Sequence, residues 1–450
     1  MCVLYHNFIR FINKSTLFIF QVTSFSPNQF RIDSKSYLCD NALTLKKRYK
    51  TDPIAKEKCS GNCLRCHYAD NCPARKVAKS ATITLSNTKK ISSSRYQDGV
   101  GFTIDVGSTT LAVELYDLRS GALLASDGAI NPQSSISSDV IGRIVVTEKP
   151  NGLKTLQKLV LQALDNLISS VCAKTNISPD DLSDGVLTGN TIMLHILFGK
   201  SPSNLGRAPF KLEWFAGSSE TLLGHTVWIA PFIGAFVGAD LMCALIAANF
   251  NNATSNQLLC DIGTNTELAL RIGNKIYAAS TAAGPAFEST GIKGSELLDT
   301  MARLLSNNTI SITGEIKSEY ITLEDGRILK NADIRAVQTA KAAIAAGIST
   351  MLDDAKTSSD ELSEIYLAGG FGSNLNPNSA VTIGLIPKAP KAKMISLGNA
   401  ALTGAALLLL NPQERQNAVE LAKKIQLVDL GGNDTFYNYF IKALYFSPFK

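Results

Sequence analysis

Two stretches of the chain carry the same pattern of apolar and polar positions. GVGFTIDVGSTTLAVELYDL, residues 99–118, and LLCDIGTNTELALRIGNKIYAAS, residues 258–280, each place an apolar run before a small-residue turn and an alternating run after it. β-Branched and apolar runs broken by such a turn predict two strands joined by a tight loop. Helical spacing of apolar residues fills the intervals. LKTLQKLVLQALDNLISSVCAK has leucines at that spacing, DIRAVQTAKAAIAAGISTMLDDA opens at Asp333 as a cap, and GNAALTGAALLLL from Gly398 predicts a buried helix. A further short strand in IYLAGGFGSN, residues 365–374, runs into consecutive glycines. Strands alternating with helices predict an α/β fold, and the repeated strand–loop–strand unit predicts two related lobes.

The loops change the picture from fold to chemistry. Gly107 and Gly263 let backbone N–H groups approach a polyphosphate. Ser108, Thr109, Thr110, Thr264 and Asn265 add polar donors around them, and Asp105 and Asp261 suit Mg²⁺, directly or through water. One Asp-x-Gly turn is an ordinary strand connection. Two in matching contexts predict a nucleotide site. Gly369, Gly370, Phe371 and Gly372 would let main chain press against a flat ligand such as adenosine. Asp240 and Glu267 are candidates for orienting the attacking water, against the plainer reading of a helix-start and a strand-edge carboxylate. His195 reads as a packed helical histidine.

At 450 residues, with 45% hydrophobic and 18% charged residues, the chain has the make-up of an ordinary globular protein of two or three domains. Of nine cysteines, Cys59, Cys63, Cys66 and Cys72 fall within fourteen residues, as C-x3-C-x2-C-x5-C followed by Pro73. That crowding predicts a metal or redox site in a reducing compartment rather than disulfides. The spacing alone leaves structural zinc and an iron–sulfur centre both open. His67 reads as a neighbour of the four thiols. Residues 1–100 carry 17 Lys and Arg against 6 Asp and Glu, an excess that suits nucleic acid, an acidic redox partner or a solvated surface. The apolar opening MCVLYHNFIRFINKSTLFIFQV is broken by Arg10 and Lys14, so neither a signal peptide nor a membrane span is expected, and the expected location is the cytoplasm. The expected divisions are a leader (1–50), a cysteine-rich module (51–80), a linker rich in Ser, Thr and Lys (81–99), a first lobe (100–255) and a second lobe (256–450).

In DVGSTT, DIGTN and LAGGFG the chain resembles the acetate and sugar kinase, Hsp70 and actin superfamily of ATPases. NPQSSISSDVIGRI, TGNTIMLHILFG, LGRAPF, FVGAD, STAAGPAFE and GNAALTGAALLLL narrow this, over about residues 100–450, to a resemblance to the reductive activators of corrinoid-dependent methyl-transfer enzymes. The resemblance implies duplicated actin-like ATPase lobes, with ATP and Mg²⁺ as cofactors. It also implies an activity that returns a Co(II) corrinoid in a partner protein to Co(I). An iron–sulfur centre of the chain's own, which four closely spaced cysteines would make a [4Fe–4S] cluster, would then supply the electron. The implied partners are a corrinoid protein of a methyltransferase system and a low-potential electron donor, with a homodimer kept open and no nucleic acid. An activator of another low-potential enzyme such as a dehydratase, a small-molecule kinase and a non-enzymatic scaffold are the competing readings. The chain departs from the family in three places. Its cysteine module is shorter than a plant-type ferredoxin domain, Thr266 stands where relatives usually have Gly, and the segment after AAGPAFE, around 288–294, is shortened.

Overall fold

A computed structural model of the chain describes the backbone of three short strands within residues 2–21, then residues 83, 85, 86 and 89–449, apart from 96, 97, 285–291, 293 and 373. The cysteine-rich module, most of the leader and most of the shortened segment near 288–294 therefore lie outside the described residues. Strands β1 (Cys2–Tyr5), β2 (Phe8–Asn13) and β3 (Thr16–Gln21) form an antiparallel sheet.

Two six-stranded sheets follow, and five strands of each share a topology. In the first lobe β4 (Val100–Val106), β5 (Thr110–Asp117) and β6 (Leu123–Ile130) form an antiparallel meander. β7 (Leu182–Gly189) and β9 (His225–Ile229) add in parallel on the β4 side, and β8 (Ser219–Leu222) closes the edge. The second lobe repeats the plan. β10 (Gln257–Ile262), β11 (Thr266–Ile272) and β12 (Lys275–Thr281) form the meander, and β15 (Glu364–Ala368) and β16 (Lys393–Gly398) add in parallel beside β10. A small hairpin, β13 (Tyr320–Thr322) and β14 (Ile328–Lys330), and an edge strand β17 (Gln426–Leu427) complete the strands. The duplication expected from the two loop motifs thus extends over five strands of each sheet, and only the sixth differs, β8 pairing antiparallel with β9 and β17 parallel with β12. β4 and β10, flanked on both sides, bury nearly every residue, as central strands must.

Helices α1 (Val140–Thr147), α2 (Gly152–Thr175), α3 (Thr191–Leu197) and α4 (Ala239–Ala247) belong to the first half. In α2, Leu156, Val160, Leu164, Leu167, Ile168 and Val171 make one buried stripe, and Asn176 in the left-handed region stops the helix. The second half carries α5 (Gly294–Ser306), α6 (Asn331–Asp354), α7 (Gly369–Gly372), α8 (Pro377–Thr382), α9 (Ala400–Leu410), α10 (Glu414–Lys424) and α11 (Asp434–Ala443). α6 starts two residues before the expected Asp333: that carboxylate reaches back to accept the Lys330 N–H at 2.9 Å, so it closes the helix from its third position. α9 is buried as expected, and it crosses from the second sheet to pack on β4 and β7 of the first.

Part of the stretch expected to be linker is bound to the first lobe. Ser94 N–H donates to Leu410 O at 3.1 Å, Arg95 Nε donates to Leu409 O at 2.8 Å, and Arg95 also pairs with Asp184. Its serines satisfy carbonyls at the end of α9, which a polar composition alone does not reveal. Among the described residues no helix is long and apolar enough to cross a membrane.

Candidate nucleotide site

The two loops meet. Thr109 Oγ1, after β4, lies 3.0 Å from Thr264 Oγ1, after β10, a hydrogen bond between residues 155 apart in sequence. Each loop is tight: Gly107 N–H donates to Thr110 O at 3.0 Å, and Gly263 N–H to Asn265 O at 3.2 Å. A Cβ on Gly107 would come within 2.8 Å of Thr110 O, so only glycine fits that turn.

The carbonyls of the first loop are held from behind. Asn131 Nδ2 donates to Gly107 O at 2.9 Å, Asn131 N–H to Thr109 O at 2.8 Å, and an Arg143 guanidinium N–H to Ser108 O at 2.6 Å. Peptide N–H groups oppose their carbonyls, so with these carbonyls held from behind, the amides that follow them face the other way. In the second loop Gly284 N–H donates to Thr264 O at 2.9 Å.

Arg143 was not among the expected site residues. It is fully buried, and it also donates to Ser137 O at 3.1 Å and Gln133 Oε1 at 3.3 Å. Burial pushes its pKa down to about 10, with Asp139 opposing, so it remains a cation at neutral pH. Replacing it by methionine strands one buried acceptor, Gln133 Oε1, worth about 1–3 kcal/mol, and two half-buried carbonyls that water can reach in part. Arg143→Met is therefore expected to lower unfolding stability by about 2 kcal/mol in urea titration, and an unchanged midpoint would contradict this role.

Four carboxylates gather beneath the loops. Asp105 and Asp261 are each the last residue but one of their strands, β4 and β10, Glu267 is the second residue of β11, and Asp240 lies in the first turn of α4. Burial pushes Asp105 up to about 7, with an Asn399 hydrogen bond opposing and Asp240 adding to the rise. Burial, Asp240 and Asp105, in that order, push Asp261 up to about 7. Asp240 is pushed up to about 6 by burial against the Leu241 N–H bond. Glu267, buried beside Asp240 and Asp261, is held well above the carboxylate range. Among the described residues none of the four forms an ion pair with a lysine or arginine. Uncompensated negative charge of this kind fits a divalent cation. Among the described residues no three such side chains converge closely enough to ligate an ion directly, so the fit is to a cation held through water.

The glycine turn joins them. Gly369 has φ +84°, and a Cβ there would lie 2.6 Å from Asp261 Oδ1. α7, Gly369–Gly372, thus packs its backbone on the strand carrying Asp261, with Gly372 against Ile262. The structure brings together Asp105, Asp240, Asp261, Glu267, both loops and this turn. His195 stands apart, as expected: its Nδ1–H donates to Thr191 O at 2.7 Å and its ring packs on Trp214 and Phe232. Cys59, Cys63, Cys66 and Cys72 lie outside the described residues.

Comparison with known proteins gives this arrangement its family. A model of the RACo middle region matches residues 100–253, and a model of the C-terminal domain of RACo, the ASKHA domain, matches 255–294 and 289–449. The second match breaks where the sequence places the shortened segment. The chain is 30% identical over 387 residues to the corrinoid activation enzyme RamQ of Eubacterium limosum, covering 70% of this chain and 65% of that protein. It is 24% identical over 274 residues to a [Co(II) methylated amine-specific corrinoid protein] reductase of Methanosarcina barkeri, covering 48% and 51%. The chain thus spans less than two thirds of either curated relative. A solved reductive activator for a corrinoid, iron–sulfur protein superposes with a TM-score of 0.69 at 29% identity, covering 78% of this chain and 67% of that one. The two models together account for residues 100–449, and the chain belongs to the RACo family of reductive activators of corrinoid-dependent enzymes, with the ATPase fold of the ASKHA, or actin-like, superfamily.

Proposed function

We propose that the chain is an ATP-dependent reductive activator that returns the Co(II) corrinoid of a methyltransferase-system protein to Co(I). The observation that carries this reading is the likeness to a corrinoid activation enzyme across both lobes. The joined loops supply the nucleotide half. Gly107, Ser108, Thr109 and Thr110 cradle one end of the polyphosphate, and Gly263, Thr264 and Asn265 the other. Asp105 and Asp261 hold the waters of a Mg²⁺, whose charge offsets that of the phosphates. Asp240 and Glu267 orient the attacking water, and Gly369, Gly370, Phe371 and Gly372 line the adenosine. Cys59, Cys63, Cys66 and Cys72 would hold an iron–sulfur cluster, which supplies one electron.

ATP has a thermodynamic task here. For one electron, every 59 mV or so of unfavourable potential costs tenfold in equilibrium. Nucleotide-dependent affinity for the partner must supply that bias, since equal affinity for both states shifts nothing.

Anaerobically prepared protein is expected to contain about four iron and four sulfide per chain, and to lose them in Cys66→Ser with ATP binding intact. ATP turnover should be slow alone and rise when a Co(II) corrinoid protein is added, in Cys66→Ser as well. Stoichiometric zinc after reconstitution with iron and sulfide would contradict the electron-carrier half. Turnover that answers only to a small sugar or acid would favour a kinase instead.

A further inference from the structure

Asn399 stands at the seam between the lobes. β16 belongs to the second sheet, and its pairing with β15 shifts register so that Ala368 lies opposite Gly398, whose φ is +67°. There the chain leaves the sheet, and Asn399 caps α9, which packs on β4 and β7 of the first lobe. The Asn399 Oδ1 accepts the Leu402 N–H at 2.8 Å. That bond decides which way the amide faces. With the oxygen committed to the helix end, the NH₂ is directed at Asp105, whose Oδ2 accepts from it at 3.2 Å. Two residues 294 apart are thereby joined inside a cluster of mutually repelling carboxylates.

We propose that Asn399 is a positioning residue for the nucleotide site, fixing the orientation of the Asp105 carboxylate from the start of α9. Asp105 is then aimed correctly only while α9 is seated between the sheets, so closure of the lobes and readiness of the site become one condition. The inference rests on reading Asp105 as a carboxylate that orients metal-bound water on the nucleotide.

Asn399→Ser separates the two roles of the side chain. Serine caps a helix about as well as asparagine but cannot donate to Asp105 in this geometry. Its melting temperature is expected to stay within about 2 °C of wild type. Its kcat for ATP should fall about 10- to 100-fold, with KM changed less than about threefold. Asn399→Asp keeps a capping oxygen but faces Asp105 with like charge, and should lose at least as much. A second readout avoids turnover. ADP should raise the melting temperature of Asn399→Ser as much as that of wild type in EDTA, but the extra rise on adding Mg²⁺ should shrink. A pure helix cap predicts the reverse, with Ser and Asp equivalent to Asn in kcat and in the Mg²⁺ increment, and that result would overturn the proposal. Asp105→Asn serves as the reference. If it is inactive while Asn399→Ser is not, this inference alone fails. If Asp105→Asn turns over normally, the nucleotide-site reading fails and takes this inference with it.

Discussion

Replacing Asp261 by asparagine is expected to abolish Mg²⁺-ATP turnover and, at the same time, to raise the melting temperature of the nucleotide-free protein at pH 8. Burial, then Asp240 and Asp105, push the Asp261 carboxyl from 3.8 up to about 7. Between those values the folded protein holds a proton that the unfolded chain has released. This carboxyl therefore lowers stability as pH rises from about 4 through about 7, and above 7 the full cost of the buried charge is present. Asparagine has nearly the same shape and no charge. It should relieve that cost in full at pH 8 and well under half of it at pH 5, where only the unfolded chain has released its proton. The same substitution removes charge from the place where a cation would be held, so turnover should fall by at least about 100-fold. Scanning calorimetry at the two pH values checks the first claim: an equal difference at both would contradict the raised pKa. Turnover within a few-fold of wild type would contradict the role.

Gly404→Ala should be among the most damaging single methyl groups in the chain. On an exposed helix this change would gain about 1 kcal/mol. Here a Cβ would lie 1.8 Å from Cys243 O and 2.4 Å from its carbonyl carbon. The contact is backbone to helix backbone, so no rotamer change relieves it. α4 and α9 would have to separate by more than about 1 Å, at a cost of about 3 kcal/mol or more, and roughly 10 °C in melting temperature. The damage should reach function too, because α4 carries Asp240 and α9 is capped by Asn399. A melting temperature at or above wild type would show that the two helices are not in backbone contact.

Legibility in the sequence followed the range of the interactions. The two Asp-x-Gly loops were readable as a matched pair because their pattern is local: an aspartate, a glycine and hydroxyls within five residues, written twice. The lobes were readable for the same reason, since each loop sits in the apolar run of a central strand. Asn399 and Arg143 were not. An asparagine before an alanine- and leucine-rich run reads as a helix cap, which it is. Its second bond, to Asp105, exists only because α9 crosses between the sheets. Arg143 reads as a surface charge on a short helix, yet it is fully buried behind the first loop. The linker expectation missed the bound stretch at 89–95 on the same ground. Its serines and Arg95 bond to Leu409 and Leu410, more than 300 residues away in sequence.

Cobalt reduction itself tests the account most directly. The chain, reduced anaerobically with a chemical donor, would be mixed with a corrinoid protein held as Co(II), and the Co(I) absorbance followed with and without Mg²⁺-ATP. The account predicts that Co(I) forms only with ATP, and that neither Cys66→Ser nor Asp261→Asn produces it, although Asp261→Asn keeps a reducible cluster. Co(I) forming equally well without ATP, or at wild-type rates in Cys66→Ser, would contradict it.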